Sequence, residues 1–260
     1  MKATANGLLA QLLPSARFVA SDNVLETMKA RKTKKESDLM RHAVAVASAG
    51  FAKSIESIQP GLRETEVAAS LQSAFDTSLD AVSLQRSYGS FYCMSGPNSA
   101  RASAAYARTR QRRLEEGDLV MIHANTCADG YWTDITRTYS VGAPSARHEE
   151  MRSAIEAARD AGLRSIHPGA AARDVDQATR AVMEARSMGA AFLQAAGHGV
   201  GFAAVNANGL PRIHAHSSDV LKEGMTFNLE LAAYFDGYGG MRHCDVIAVT
   251  PTGASVLTQF

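Results

Sequence analysis

The sequence predicts an α+β domain built from two related halves, and three observations carry that prediction. Residues 117–142 read GDLVMIHANTCADGYWTDITRTYSVG, two strand-like runs around an Asp129-Gly130 turn, the pattern of a β-hairpin. The frame Ile58-Gln59-Pro60-Gly61 followed by Glu66-Val67 returns as Ile166-His167-Pro168-Gly169 followed by Asp174-Val175. Each copy stands between two stretches of helical periodicity, so the chain repeats a helix pair followed by strands. Two such copies imply a pseudo-twofold domain with its site between them.

Taken in order, residues 1–33 carry two short apolar patches, Leu8-Leu9 with Leu12-Leu13 and Val24-Leu25, broken by Pro14 and Ser21-Asp22-Asn23. From 35 to 57, Leu39, Met40, Ala43, Val46, Ala47, Phe51 and Ile55 recur at three- and four-residue steps, which predicts a helix ended by Pro60-Gly61. Val67, Leu71 and Phe75 predict a second helix over 64–75, and the Val, Leu, Tyr and Phe content of 80–95 predicts a strand that closes on Ser95-Gly96-Pro97-Asn98. The hairpin follows. The second half predicts helices over 151–165 and from Asp174 to about 188, then strands carrying polar groups.

Composition limits the partners. The chain has 260 residues, 46% of them hydrophobic, and a net charge of +1. Its denser basic runs, Arg31-Lys32-Thr33-Lys34-Lys35 and residues 108–113, read as solvated faces, which leaves no footprint for nucleic acid or an anionic membrane. No apolar run is long enough to span a bilayer, and the N-terminus lacks a signal-peptide core with a cleavage site. Cys93, Cys127 and Cys244 form no CxxC pair and fit free thiols in a reducing compartment. The expectation is a cytoplasmic protein acting on a small molecule.

Polar residues placed in apolar strands mark the site. Asp134 lies between Trp132 and Ile135, and its bland alternative is a turn-edge ion pair with Arg137. His198 stands in Gly197-His198-Gly199-Val200-Gly201, where glycines let a backbone approach a ligand closely.

These stretches resemble a known family. GDLV, GY-x-x-DITRT and VG are similar to the hairpin of the creatinase/aminopeptidase superfamily, which has the pita-bread fold and includes methionine aminopeptidases, Xaa-Pro aminopeptidases and prolidases. Residues 221–230, LKEGMTFNLE, resemble its L-x-x-G-M-x-F-x-x-E, and GGMRHCD at 239–245 stands where it has G-x-R-x-E-D. The resemblance covers roughly 32–260. It implies helix pairs packed on a curved, mostly antiparallel sheet, a catalytic domain at 34–260, and residues 1–33 as the tail of a joint to an N-terminal domain. It also implies a homodimer.

In the family's peptidases two Asp, one His and two Glu hold two metal ions. The corresponding residues here are His123, Asp134, His198, Glu230 and Cys244. An imidazole and a thiol cannot bridge two ions as carboxylates do, so the usual dinuclear hydrolytic centre is not expected. Asp134, His198, Glu230 and Cys244 remain an acceptable set for one zinc or iron ion. A metal-free site is equally open, because creatinase hydrolyses a C–N bond on this fold with histidine as acid/base. His123 or His198 then moves the proton, with Glu230 or Asp134 orienting the ring.

The expected activity is C–N bond hydrolysis, or a related elimination, on a small amino-acid-like, amide or guanidino substrate, with His123, His198 and Glu230 as catalytic residues. The rival readings are a mononuclear iron enzyme using dioxygen and a non-catalytic binding module. Candidate substrate contacts are Tyr106, His214 and Arg242. Tyr106 or Ser103 falls nearest to a histidine of the peptidases that this chain lacks, and Arg242 has a structural alternative in pairing with Asp245. His42, His148 and His167 read as structural.

Overall fold

The computed structural model describes residues 2–19, 22–78, 85–103, 108–206 and 209–260. Tyr106 and the first residues of the strand expected over 80–95 lie outside them.

Two helices, α1 (Lys2–Leu12) and α2 (Asp22–Ala30), come first, with Leu8, Leu12, Leu25 and Met28 exposed. The first repeat opens at α3 (Lys34–Ser57), where Thr33 accepts from the Glu36 N–H and the Glu36 carboxylate accepts from the Thr33 N–H. This reciprocal capping satisfies donors that a helix start leaves unpaired. Helix α4 (Glu64–Thr77) follows. Met40, Val44, Ala47, Phe51, Val67, Leu71 and Phe75 from this pair form one core with Phe91, Val120, Ile122 and Ile135 of the sheet.

The first three strands are β1 (Ser87–Ser95), β2 (Leu119–Ala128) and β3 (Tyr131–Ser140), with a four-residue helix α5 (Pro97–Ala100) after β1. Asp129 and Gly130 both take positive φ, 46° and 92°, as a two-residue hairpin turn requires. The second repeat supplies α6 (Ala146–Ser165) and α7 (Ala172–Ala185). Helix α6 starts earlier than its apolar periodicity predicts, because Ser145 caps it by accepting from the His148 N–H at 3.2 Å. Helix α7 ends before the expected 188, and Ser187 takes a positive φ of 57°.

Strands β4 (Gly197–His198), β5 (Arg212–Ile213), β6 (Thr226–Phe235), β7 (Gly239–Thr250) and β8 (Gly253–Val256) complete the chain. The main sheet runs β1-β2-β3-β7-β6 with β8 on β7, and its pairs are antiparallel. Ala154, Ile155, Ala158, Val175 and Met183 pack on Phe227, Leu229, Leu231 and Ile247 as a second core.

The repeat seen in the sequence recurs in the hydrogen bonding. Gly61 and Gly169 take φ of 87° and 91°, and their N–H groups donate to Leu114 and Leu221, each at 2.8 Å. Leu114 N–H donates back to Leu62, and Leu221 N–H to Ala170, again at 2.8 Å. The two halves therefore fold as copies, each closing a strand-like segment onto the start of its second helix.

Candidate active site

Antiparallel register sets one row of side chains across five strands. Tyr92 faces His123, His123 faces Thr136, Thr136 faces Cys244, and Cys244 faces Glu230. Directly opposed residues share a sheet face, so the row lies on the face away from the α3–α4 core. Asp134, one alternation from Thr136, joins the same face.

His198 is brought in by β4. Gly197 is required because a Cβ there would sit 2.0 Å from the Asn228 carbonyl oxygen, and one on Gly199 would sit 2.3 Å from that of Leu210. The close approach that these glycines permit is thus to the protein's own backbone, not to a ligand as their spacing suggested. The Asn228 side chain accepts from the His198 N–H at 2.8 Å and fixes the β4 end against β6.

Asp134, His198 and Glu230 offer ligand atoms that all lie within 4.8 Å of one another. Asp134, 3% exposed, is shared between two imidazoles: Oδ1 is 3.5 Å from His123 Nδ1 and Oδ2 is 3.4 Å from His198 Nε2. Asn228 Nδ2 lies 3.3 Å from Asp134 Oδ2 and 3.1 Å from His198 Nε2. Glu230 Oε1 accepts from Arg242 Nη1 at 2.9 Å and from Gln194, while Arg242 Nε donates to Thr136 Oγ1 at 3.1 Å.

These surroundings push the two histidines apart. Burial, reinforced by Arg242, lowers His123 to a pKa of about 4, against the pull of Asp134. Burial also acts downward on His198, but its hydrogen bond and charge contact with Asp134, with Glu230 behind, raise it overall. Burial opposes ionisation of Asp134, yet His198, His123 and Arg242 hold its pKa below the usual carboxylate range. Burial raises Glu230 in spite of Arg242.

Cys244 borders the trio, with Sγ 4.0 Å from Asp134 Oδ1. It is fully buried, its Sγ donates to the Asp134 carbonyl oxygen at 3.2 Å, and burial, with the neighbouring carboxylates of Asp134 and Glu230, drives its pKa well up. His214 lies past β5 with Nδ1 accepting from the His216 N–H, and no hydrogen bond or ion pair among the described residues ties it to the trio. Arg242 pairs with Glu230, not with Asp245, and Arg137 pairs with Asp245, not with Asp134. Sequence reasoning missed Asn228 and Gln194. Asn228 was detectable, since it alternates with Glu230 on β6 and shares its face.

The donor chemistry decides what metal content fits. At two positions that carry carboxylates in the family's two-ion peptidases this chain has His123 and Cys244, an imidazole and a thiol. A single divalent ion fits the oxygen and nitrogen donors of Asp134, His198 and Glu230.

A two-repeat α+β domain with a histidine–carboxylate cluster on one sheet face is the pita-bread class. Residues 38–251 match the family described as Metallopeptidase family M24, and the chain belongs to that family. It is 29% identical over 252 residues to an Xaa-Pro dipeptidase of Pyrococcus furiosus, covering 93% of this chain and 67% of that one. It is 33% identical over 238 residues to the probable dipeptidase PepE of Mycobacterium tuberculosis (strain ATCC 25618 / H37Rv), covering 91% of this chain and 60% of the relative. Among solved structures, dipeptidase PepE from Mycobacterium ulcerans superposes with a TM-score of 0.87 at 29% identity, covering 97% of this chain and 65% of that one. The prolidase from Pyrococcus furiosus superposes with 0.84 at 30% identity, covering 92% and 68%. The chain thus spans roughly two thirds of the length of these relatives. No helix among the described residues is long and apolar enough to cross a membrane.

Proposed function

We propose that this chain hydrolyses the C–N bond of a small amide or dipeptide-like substrate without a two-ion centre. The observation that carries the reading is Asp134 set between two imidazoles, 3.5 Å from His123 and 3.4 Å from His198, with Glu230 completing the trio around His198. The kinship with Xaa-Pro dipeptidases supports an amide bond as the target.

A divalent ion, zinc or iron, held by Asp134, His198 and Glu230 would supply a polarised water. The residues divide the remaining work. With no ion bound, His198, raised by Asp134, holds a proton that it delivers to the leaving nitrogen; with an ion bound its ring nitrogen is a ligand and carries none. Asp134 orients that ring. His123 stays neutral at physiological pH and offers the substrate a hydrogen bond without a charge, the division of labour expected when two titratable neighbours are pushed apart. Arg242 neutralises Glu230 and supports Thr136, the partner of His123. A homodimer in the reducing cytoplasm completes the proposal.

The test is a screen of dipeptides and N-acyl amino-acid amides against the protein and its His198→Gln variant. Turnover of a small amide that falls about 100-fold or more in the variant, the usual contribution of a positioned acid, is the expected result. Turnover unchanged in His198→Gln would overturn the assignment.

A further inference from the structure

Beside His123 the same sheet face opens into a cavity of about 620 Å³ that the catalytic reading does not use. Its walls are aromatic. Tyr88 and Trp132 meet edge to face, with ring centroids 5.3 Å apart, and Tyr92 stacks on the His123 ring at 5.8 Å. Ser90 and Ala203 are small enough to leave the space open. The loop side is tied to the hairpin by the Trp132 N–H, which donates to Gly201 at 2.6 Å.

One polar group is stationed in this wall. Asn125 lies two residues beyond His123 on β2 and opposite Asp134, so strand alternation puts it on the catalytic face. Its Oδ1 is buried and has no hydrogen-bond partner among the described residues. Buried polar atoms are nearly always paired, and because Asn125 itself lines the cavity, a turn of its amide brings this closed-off oxygen to a ligand's donor. No charged residue is among the described residues lining the cavity.

Resting on the amide-hydrolase reading, we infer that this cavity is the specificity pocket of the same site and that it takes a neutral aromatic side chain whose adjoining amide N–H donates to Asn125. Tyr92 couples the two regions, since its ring lines the cavity and covers His123. A ring seated between Trp132 and Tyr92 has aromatic edges available, since His123 and Arg108 already cover the Tyr92 ring, and its neutral amide supplies the donor that Asn125 lacks.

Trp132 is the chain's single tryptophan, so its fluorescence reports occupancy of this cavity directly, without turnover. The probes are N-acetyl-phenylalaninamide and N-acetyl-alaninamide, titrated against the full chain. The expected result is a saturable change with the phenylalanine probe and binding about tenfold or more weaker for the alanine probe, the scale of a buried ring's contribution. Asn125→Leu is expected to weaken the phenylalanine probe by a similar factor. Ala203→Phe, on the loop wall, is expected to fill the space and abolish binding, which keeps the test available if the strand variant folds poorly. Equal affinity for the two probes, no saturable change, or unaltered binding in Ala203→Phe would overturn the pocket. Binding that persists in His198→Gln while all hydrolysis is lost, or was never present, separates this inference from the catalytic one.

Discussion

Arg242 Nη1 lies 2.9 Å from Glu230 Oε1, with the two side chains only 10% and 13% exposed. The guanidinium thus sits where a carboxylate would otherwise be buried without a counter-charge. Arg242→Met is expected to destabilise the fold by about 3–5 kcal/mol, the cost of stranding one member of a buried pair. Glu230, already raised by burial, would rise further. A carboxyl with a raised folded pKa contributes stability that is present at low pH and lost as pH rises through that value. The variant should therefore denature at lower urea concentration near neutrality than at mildly acid pH, and adding Glu230→Gln should recover part of the loss.

The two site histidines should titrate on opposite sides of the ordinary imidazole value. His123 is expected to stay neutral until about pH 4, and His198 to remain protonated above the usual range. Ring-proton NMR with His123→Gln and His198→Gln for assignment reads both. The stability consequences have opposite signs. The lowered His123 contributes stability that is present above the unfolded value and lost as pH falls toward 4. The raised His198 contributes stability that is present below the unfolded value and lost as pH rises through its folded pKa. Coincident titrations near the ordinary value would remove the acid and neutral-donor assignments.

The sequence showed the repeat because Gly61 and Gly169 answer the same backbone demand, a positive φ that a Pro-Gly frame marks plainly. It showed Asp134 because a carboxylate in an apolar strand has few packing reasons to be there, His198 through its glycine setting, and Glu230 only through the resemblance of residues 221–230 to the family pattern. It misled where ion pairs were judged by nearness in the chain. Arg242 and Asp245, and likewise Asp134 and Arg137, are three apart in a strand and so project to opposite faces. Applying that alternation would have sent Arg137 to Asp245 across the sheet, as the 2.7 Å pair shows. Gln194 and the unpartnered Asn125 carbonyl were not legible, since one comes from an irregular segment and the other matters only through what fails to touch it.

Asp245 anchors the opposite face. It is 1% exposed and accepts from Arg137 at 2.7 Å, Arg159 at 2.5 Å and Thr258 at 2.6 Å, with His243 Nε2 3.1 Å away. Burial opposes its ionisation, but His243, Arg137 and Thr258 hold its pKa well below the usual range. A depressed carboxylate contributes stability that is present above its unfolded pKa and lost as pH falls. Asp245→Asn is therefore expected to melt lower near neutrality, by about 3–5 kcal/mol for the stranded arginines, and to show a flatter loss of Tm on acidification. A parallel acid limb in both proteins would show that Asp245 is not the group responsible.

Metal content follows from the same donor geometry. Protein purified without chelators or affinity metal is expected to hold at most one divalent ion per chain by elemental analysis. Asp134→Ala should abolish any such binding, because Asp134 belongs to the trio, whereas Cys244→Ala should retain it, because Sγ, although 4.0 Å from Asp134 Oδ1, is outside the three ligand groups and donates to a backbone carbonyl. The register row also dictates a gain. His123 and Cys244 flank Thr136 on either side across the sheet, so His123→Asp with Cys244→Glu adds two carboxylates to Asp134, His198 and Glu230 on one face. Carboxylates bridge ions where an imidazole and a thiol do not, and the double variant is expected to bind a second manganese or zinc ion. Two ions in the parent protein, or still one or none in the double variant, would show that donor type at these two positions does not set the metal count.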